Sequence, residues 1–188
     1  MLRRVFAVLL AIVILVILIG FFLPRQVVVE RSLVIDQPAE VIFEVMQDLR
    51  HFHQWSPWHA TNPDAGYRLE GPDAGVGATL VWSDEGGSGA GRLWIVATDR
   101  PSRIDMRMEL GESEVESWFR IEPEGLAQRV SWGMQMEVGT FDLTGRYLGL
   151  ILPGLIGRSY SEGLEGLSDY LARTLGRVPP LEHDDPAS

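Results

Sequence analysis

The sequence predicts an α+β domain, in which a long C-terminal helix crosses an antiparallel sheet, attached to one N-terminal transmembrane helix. Three patterns in the 188 residues support this prediction: an unbroken apolar run at the start, six short β-type segments separated by turn signals, and an apolar stripe at helical spacing near the end. Apolar residues make up 46% of the chain and charged residues 22%. The chain can therefore build a full core and is not globally disordered.

The N-terminal apolar run covers Val5–Leu23, nineteen residues without a charged or strongly polar side chain. At ~1.5 Å per residue, a helix of this length nearly crosses a hydrocarbon core of ~30 Å. A cleaved signal peptide would have a shorter run followed by small residues, whereas this run ends in the sequence GFFLPR. We therefore predict an uncleaved anchor over residues 1–25.

The arginines that flank this run predict its orientation. Arg3 and Arg4 precede it, which favours a cytoplasmic N-terminus and an exported domain. The remainder of the chain is strongly acidic and should be repelled by anionic lipid headgroups. We therefore expect the domain to stand off the membrane surface.

A strand, a short helix and a loop follow the anchor. Residues 26–35 are rich in β-branched side chains and predict a strand. Residues 36–40 carry a helix-start signal of Asp, Pro and Glu, and apolar residues recur at helical spacing over 41–49. A loop rich in His, Trp, Pro and Asn occupies residues 50–66.

Six β-type segments then predict an antiparallel meander, because short turns containing Gly or Pro join them. They are Tyr67–Glu70, Ala78–Ser83, Arg92–Thr98, Arg103–Leu110, Glu114–Glu122 and Gln128–Glu137. Alternate side chains of a strand share one face. The last three strands thus present Met, Trp, Phe and aliphatic side chains on an inner face and charges on an outer face. In this register Trp132 points inward and Trp118 outward.

The last part of the domain is predicted to be helical. The stripe consists of Tyr160, Leu164, Leu167, Leu171 and Leu175, and Gly176 follows as a C-terminal cap. These signals bound the domain at residues 26–176. Residues 177–188 are rich in proline and acidic side chains, which predicts a disordered acidic tail.

Four motifs resemble one known family. They are residues 29–38 (VERSLVIDQP) leading into Val41-Ile42-Phe43, the run Trp55-Ser56-Pro57-Trp58, Gly71-Pro72 followed by Gly75-Val76-Gly77, and Gly145-Arg146-Tyr147. Over about Val27 to Leu175 the chain resembles the START/Bet v 1-like (SRPBCC) helix-grip superfamily, in particular its bacterial polyketide cyclase/dehydrase and lipid-transport branch. The resemblance implies a sheet wrapped around the long C-terminal helix, and a location in the bacterial inner membrane through the anchor.

The resemblance also implies a cavity for a lipid, polyketide or other hydrophobic molecule between the helix and the sheet. Methionine is flexible and polarisable, so an inner face rich in methionine suits apolar ligands of variable shape. The alternative is a solid core, which is the usual role of an apolar stripe. The residues expected to form the cavity wall are Trp55, Trp58, Trp82, Met106, Met108, Phe119, Trp132, Met134, Met136, Tyr160 and Leu164.

The candidates for catalysis or metal binding are few. His51, His53 and His59 fall within nine positions, with Asp48 and Asp64 nearby, and could hold zinc or supply a general base. The same loop, with its Trp and Pro, could equally be a packed lid. No catalytic constellation and no metal site are predicted, since the inner face offers mainly Ser117, a poor base unaided.

Arg146 and Tyr147 have two possible roles. They could meet the polar end of a ligand, or they could pair with surface acids, and the second role is the expected one. The glycines near Gly71 do not open a helix after a parallel strand, so no dinucleotide cofactor is expected.

The composition excludes several classes of function. All 16 basic residues are arginine, the net charge is −10, and no basic cluster is present, which argues against binding of nucleic acid. The absence of cysteine excludes a thiolate zinc site and a cysteine nucleophile.

Three hypotheses remain. The first is a membrane-anchored module that binds a hydrophobic small molecule without covalent chemistry. The second is a cyclase, dehydratase or hydrolase that uses the loop from His51 to His59. The third is a scaffold with a solid core, whose charged outer sheet binds a protein partner.

Overall fold

Seven strands form one antiparallel sheet in the order β1-β7-β6-β5-β4-β3-β2. The computed structural model describes residues 2–58, 66–83, 90–110 and 113–175, so the predicted tail over residues 177–188 lies outside the described residues. The elements are α1 (Leu2–Phe22), β1 (Gln26–Ile35), α2 (Ala39–Gln47), α3 (Phe52–Trp55), β2 (Gly66–Glu70), β3 (Thr79–Ser83), β4 (Gly91–Asp99), β5 (Arg103–Leu110), β6 (Ser113–Glu124), β7 (Ala127–Glu137), α4 (Leu143–Leu148) and α5 (Leu152–Leu175). The predicted fold class, an antiparallel sheet with a long C-terminal helix, is confirmed.

Two helices differ from the prediction. The last helix begins at Leu152, well before Tyr160, because Pro153 in its first turn is compatible with a helix start. The short helix α4 was not predicted. Helix α2 begins where its start signal predicts, with Pro38 at the N-cap position and no side-chain hydrogen bond to cap it.

The two faces of the sheet have the predicted character. Met106, Phe119 and Trp132 are buried on the inner face. On the outer face, charged side chains pair across strands, as Arg92 does with Glu109 at 2.8 Å. Trp118 lies on this outer face, half-buried, where its indole N–H donates to Glu30 at 3.0 Å. The alternation over β5–β7 therefore assigned the inward and outward side chains correctly.

Helix α5 packs closely against the loop that contains α3. Gly163 faces the ring of Trp132, and a Cβ at this position would lie 2.6 Å from a ring carbon. Gly166 faces the backbone carbonyl of Trp55 just as closely. The small residues let the helix approach both tryptophans, and its buried stripe of Tyr160, Leu164, Leu167 and Leu171 completes the core.

Helix α1 is long and apolar enough to cross a membrane, with a mean hydropathy of 3.4 over Arg3–Phe22 and 6% of that span buried. A signal sequence near an N-terminus would pass the same test of length and composition. The helix is therefore a candidate anchor.

The C-terminal end of α1 packs against α4. The buried guanidinium of Arg146 donates to the carbonyl oxygens of Phe21 at 2.8 Å and Gly20 at 3.3 Å. The hydroxyl of Tyr147 donates to the carbonyl oxygen of Val16 at 2.6 Å. The domain thus lies directly against the C-terminal end of the apolar helix.

Candidate functional site

A cavity of about 440 Å³ lies between the inner face of the sheet and the first turns of α5. Its wall is almost entirely apolar. The lining residues are Phe52, Trp58, Tyr67, Leu80, Trp82, Leu93, Met106, Met108, Val115, Ser117, Trp132, Met134, Met136, Leu152, Ile156 and Tyr160. The volume falls within the range of ~300–1,000 Å³ that small-molecule sites occupy, so this part of the core is not solid.

Most of the residues predicted to line a cavity lie on its wall. These are Trp58, Trp82, Met106, Met108, Trp132, Met134, Met136 and Tyr160. Trp55, Phe119 and Leu164 do not lie there, although Phe119 is on the predicted inner face and Leu164 on the predicted helical stripe. They are buried farther along the sheet, where Trp55 packs edge-on against Phe119 at 6.0 Å between ring centroids. An inward-facing side chain therefore does not always line the cavity, because α5 covers one end of the inner face closely and leaves space at the other end.

Other wall residues were not predicted as site residues. Val115 was assigned to the inner face, and the alternation of β3 and β4 could have added Leu80 and Leu93. Leu152 and Ile156 continue the stripe of Tyr160 toward the N-terminus at intervals of four residues, a signal that the early start of α5 would have revealed.

On the strands, the less buried part of the described cavity wall lies at the end of the sheet that adjoins α1. Four half-buried wall residues form its rim on the strands: Tyr67, Trp82, Met108 and Met136. The strand register places all four at that end of the sheet. Tyr67 on β2 lies opposite Trp82 on β3, Met108 on β5 lies opposite Leu93 on β4, and Met136 on β7 lies opposite Val27 on β1. Val27 lies just after α1 in the chain. The opposite end of the sheet carries the filled core.

Ser117 and Tyr160 bring hydroxyl groups into the buried part of the wall. The buried hydroxyl of Ser117 donates to the carbonyl oxygen of Gly133 at 2.9 Å and accepts the indole N–H of Trp132 at 3.4 Å. Tyr160 also lines this part of the cavity, and its ring stacks on that of Trp132 at 4.4 Å. Burial raises the pKa of Tyr160 far above its usual value, so its hydroxyl stays protonated. This end of the cavity can exchange hydrogen bonds with a ligand but offers no base.

The sequence model of one protein family, described as polyketide cyclase / dehydrase and lipid transport, matches residues 26–172. The match covers most of the chain, including every strand and nearly all of α5. The chain belongs to this polyketide cyclase/dehydrase family. The family predicted from the motifs is thereby confirmed, and its match together with the cavity describes a ligand-binding or cyclase-type module.

Solved structures show the same fold at low sequence identity. Norcoclaurine synthase from Thalictrum flavum, solved with dopamine and hydroxybenzaldehyde, is 15% identical with a TM-score of 0.59, over 83% of this chain and 92% of that one. A protein from Thermobifida fusca is 17% identical with a TM-score of 0.60, over 81% and 98%. The KanY protein is 16% identical with a TM-score of 0.59, over 78% and 97%. No curated protein gives a significant match to the chain.

The described histidines of the predicted loop, His51 and His53, do not line the cavity, although Phe52 and Trp58 of the same loop do. His51 lies 3.3 Å from Asp48 through its Nδ1 and packs near the ring of Tyr170. His53 is exposed, while His59 and Asp64 lie outside the described residues. Among the residues that the structure describes, no group of three or more His, Asp or Glu side chains is placed to hold a metal ion.

The two tryptophans of the run Trp55-Ser56-Pro57-Trp58 have different surroundings. Trp55 is buried and fixes the loop to the core, whereas Trp58 is half-buried and lines the cavity. The ring of Trp58 meets that of Trp132 edge-on at 5.1 Å, so it borders the ligand space. Arg146 and Tyr147 have neither of their expected roles, since both bind backbone carbonyls of α1.

Asp48 and Arg50 form an ion pair in the loop between α2 and α3. From this pair we expect the stability of the protein to depend on pH. The Arg50 side chain donates to both carboxylate oxygens of Asp48, at 2.6 and 2.9 Å, and holds the pKa of that carboxyl below its ordinary value of 3.8. A depressed pKa in the folded state means that the pair stabilises the protein above about pH 4 and loses this effect as Asp48 is protonated.

Asp48→Asn should therefore lower the unfolding midpoint at pH 7, and the difference from the native protein should shrink as the pH falls below 4. Denaturant titrations at several pH values measure this difference. The exposed Asp36 provides the matched control, and Asp36→Asn should change the midpoint little at any pH. A difference that does not depend on pH would contradict the assigned ion pair.

Proposed function

We propose that this protein is a membrane-anchored module that binds one hydrophobic small molecule, a lipid or a polyketide-like compound, between the sheet and α5. The observation that carries the proposal is the apolar cavity of about 440 Å³. A solid core would have favoured the scaffold hypothesis, because a scaffold needs no internal space. An empty apolar space of this size is costly to maintain unless a ligand fills it.

The composition of the wall supports one kind of ligand. Its apolar side chains favour an apolar body, and the Ser117–Tyr160 pair favours one hydroxyl or carbonyl group at the inner end. Among the described wall residues none is ionised at neutral pH. Such a wall supports binding rather than turnover, and the enzymatic alternative would need a base that the described part of the cavity lacks.

The membrane part of the proposal rests on α1. Its apolar length fits a bacterial inner membrane, and Arg3 and Arg4 favour a cytoplasmic N-terminus with the domain on the other side. A reporter enzyme fused after Ser188, of a type that works only outside the cytoplasm, should be active. Activity of a reporter that works only in the cytoplasm would reverse this orientation.

Filling the cavity from one wall should abolish ligand binding without unfolding the domain. Val115 is buried, lines the cavity and carries no polar group, so Val115→Phe places its added volume in empty space. Native mass spectrometry of the detergent-extracted full chain should show a co-purified small molecule on the native protein and none on this variant.

Val130→Phe is the matched control, because Val130 is fully buried in the filled part of the core. The same added volume there should overpack the core and cost about 1–3 kcal/mol of stability. The ligand proposal fails if Val115→Phe destabilises the protein as much as Val130→Phe does, or if the native protein carries no bound molecule.

A further inference from the structure

An exposed apolar surface lies where α4 turns into α5. We refer to residues 141–155 as the corner. Its outward side chains are Phe141 (83% exposed), Leu148 (50%), Leu150 (58%), Ile151 (67%) and Leu155 (70%). Water-soluble surfaces seldom expose so many large apolar side chains together, and a contiguous group of this kind marks a contact with a partner or a membrane.

The corner is also nearly free of charge. Within residues 141–155 the charged side chains are those of Asp142, which accepts from the backbone N–H of Gly145 at the start of α4, and Arg146, which is buried against α1. The net charge of the chain is −10, yet Asp142 is the one acidic residue in this stretch. The surface is thus mainly apolar, which suits contact with lipid.

The position of α1 fixes where the corner lies relative to a membrane. Tyr147 binds the carbonyl of Val16, which is six residues before the end of α1 at Phe22. Six residues of helix correspond to ~9 Å along its axis. Leu143 also packs against α1, since a Cβ atom added to Gly20 would lie 2.9 Å from a side-chain carbon of Leu143. Helix α4 therefore lies alongside the last two turns of the apolar helix, at the depth where the apolar span ends.

The first turns of α5 separate the corner from the cavity. Leu152 and Ile156 face the cavity. The residues that directly precede them in the chain, Ile151 and Leu155, face outward. Met136, on the rim, pairs with Val27, just after α1. Only the thickness of one helix thus lies between the outer apolar surface and the ligand space.

From this arrangement we infer that the corner is a second membrane contact, embedded in the lipid surface beside α1, and that it holds the cavity mouth at the bilayer. The inference rests on the anchor in the proposed function, since the bilayer that α1 spans is the partner. The bilayer is favoured over a second copy of the chain because Leu143 and Tyr147 pack on Gly20, which places the corner beside the apolar span of α1. A ligand soluble in lipid would then reach the cavity without crossing water.

The experiment uses the full chain in phosphatidylcholine nanodiscs. Because the protein has no cysteine, a single cysteine can carry an environment-sensitive fluorophore at a chosen position. Leu155→Cys tests the corner and Val13→Cys tests the span of α1. Leu126→Cys is the control, since Leu126 is 97% exposed at the far end of the sheet, next to Ala127 and beyond the pairing of Ile35 with Gln128. Quenchers attached to lipid acyl chains report contact with lipid.

The label at Leu155 should lose about half of its emission to a quencher near the headgroup and less to one deep in the bilayer, as expected for a surface-embedded helix. The label at Val13 should respond more strongly to the deep quencher, and the label at Leu126 to neither. A quenched Val13 label with an unquenched Leu155 label would overturn the inference and leave the anchor intact. An unquenched Val13 label would instead refute the anchor. A blue-shifted Leu155 label that no lipid quencher reaches would identify a protein partner and also overturn the inference.

Discussion

Replacing Trp132 by alanine is expected to lower the free energy of unfolding by about 3–5 kcal/mol. Trp132 is 2% exposed and joins the cavity wall to the filled core. Its ring stacks on Tyr160 at 4.4 Å and lies 4.9 Å from the ring of Phe119. Its indole N–H donates to Ser117. Truncation removes these contacts together and extends the cavity into the core.

Trp118→Ala provides the matched control for this prediction. Trp118 is on the neighbouring strand and opposes Gly133, but it lies on the outer face, half-buried, with its ring over that glycine. Its loss should cost far less, because water replaces most of the removed surface. Urea or guanidinium denaturation of both variants measures the difference. Equal midpoints would show that the assigned inward and outward faces of β6 and β7 are wrong.

Replacing Arg146 by methionine is expected to lower the free energy of unfolding by about 2–4 kcal/mol, because the change leaves several buried carbonyl groups without a hydrogen-bond donor. Arg146 is 4% exposed and donates to Gly20, Phe21, Leu23 and Thr140. It has no acidic partner among these contacts. Instead, its charge lies at the C-terminal end of α1, where the helix dipole is negative and favours a cation. Methionine fills much of the same space without any donor.

The Arg146→Met substitution should also release α4 from α1. Hydrogen exchange measured by mass spectrometry should show faster exchange over α4 and unchanged exchange in the central strands. Arg146→Lys should give an intermediate result, since an ammonium group cannot present the planar set of donors that reaches these carbonyls together. The exposed Arg158 serves as control, and Arg158→Met should leave stability within about 0.5 kcal/mol. Unchanged exchange over α4 in Arg146→Met would refute the docking role.

The cavity wall shows which of its residues a local sequence pattern can predict. A strand alternates its side chains with a period of two residues whatever it packs against, so Met106, Trp132 and Met134 could be assigned to the inner face from sequence. Phe119 and Leu164 obey the same periodicities and yet lie in the filled core. What separates them is their position along the sheet relative to the crossing of α5, and periodicity carries no information about that crossing.

Contacts between distant parts of the chain were beyond sequence reasoning for the same reason. In the sequence Arg146 resembles an ordinary surface arginine. Its partner α1 lies more than a hundred residues earlier, and no local sequence signal predicts the contact between them. The sequence by itself determined the antiparallel sheet, the final helix, the apolar N-terminal helix and the family, because each follows from periodicity, turn residues or short motifs. Only the tertiary structure decided where the ligand space opens, which inward side chains border it, and that α4 holds the end of α1. These features depend on how helices cross the sheet, and that is set by packing between segments far apart in the chain.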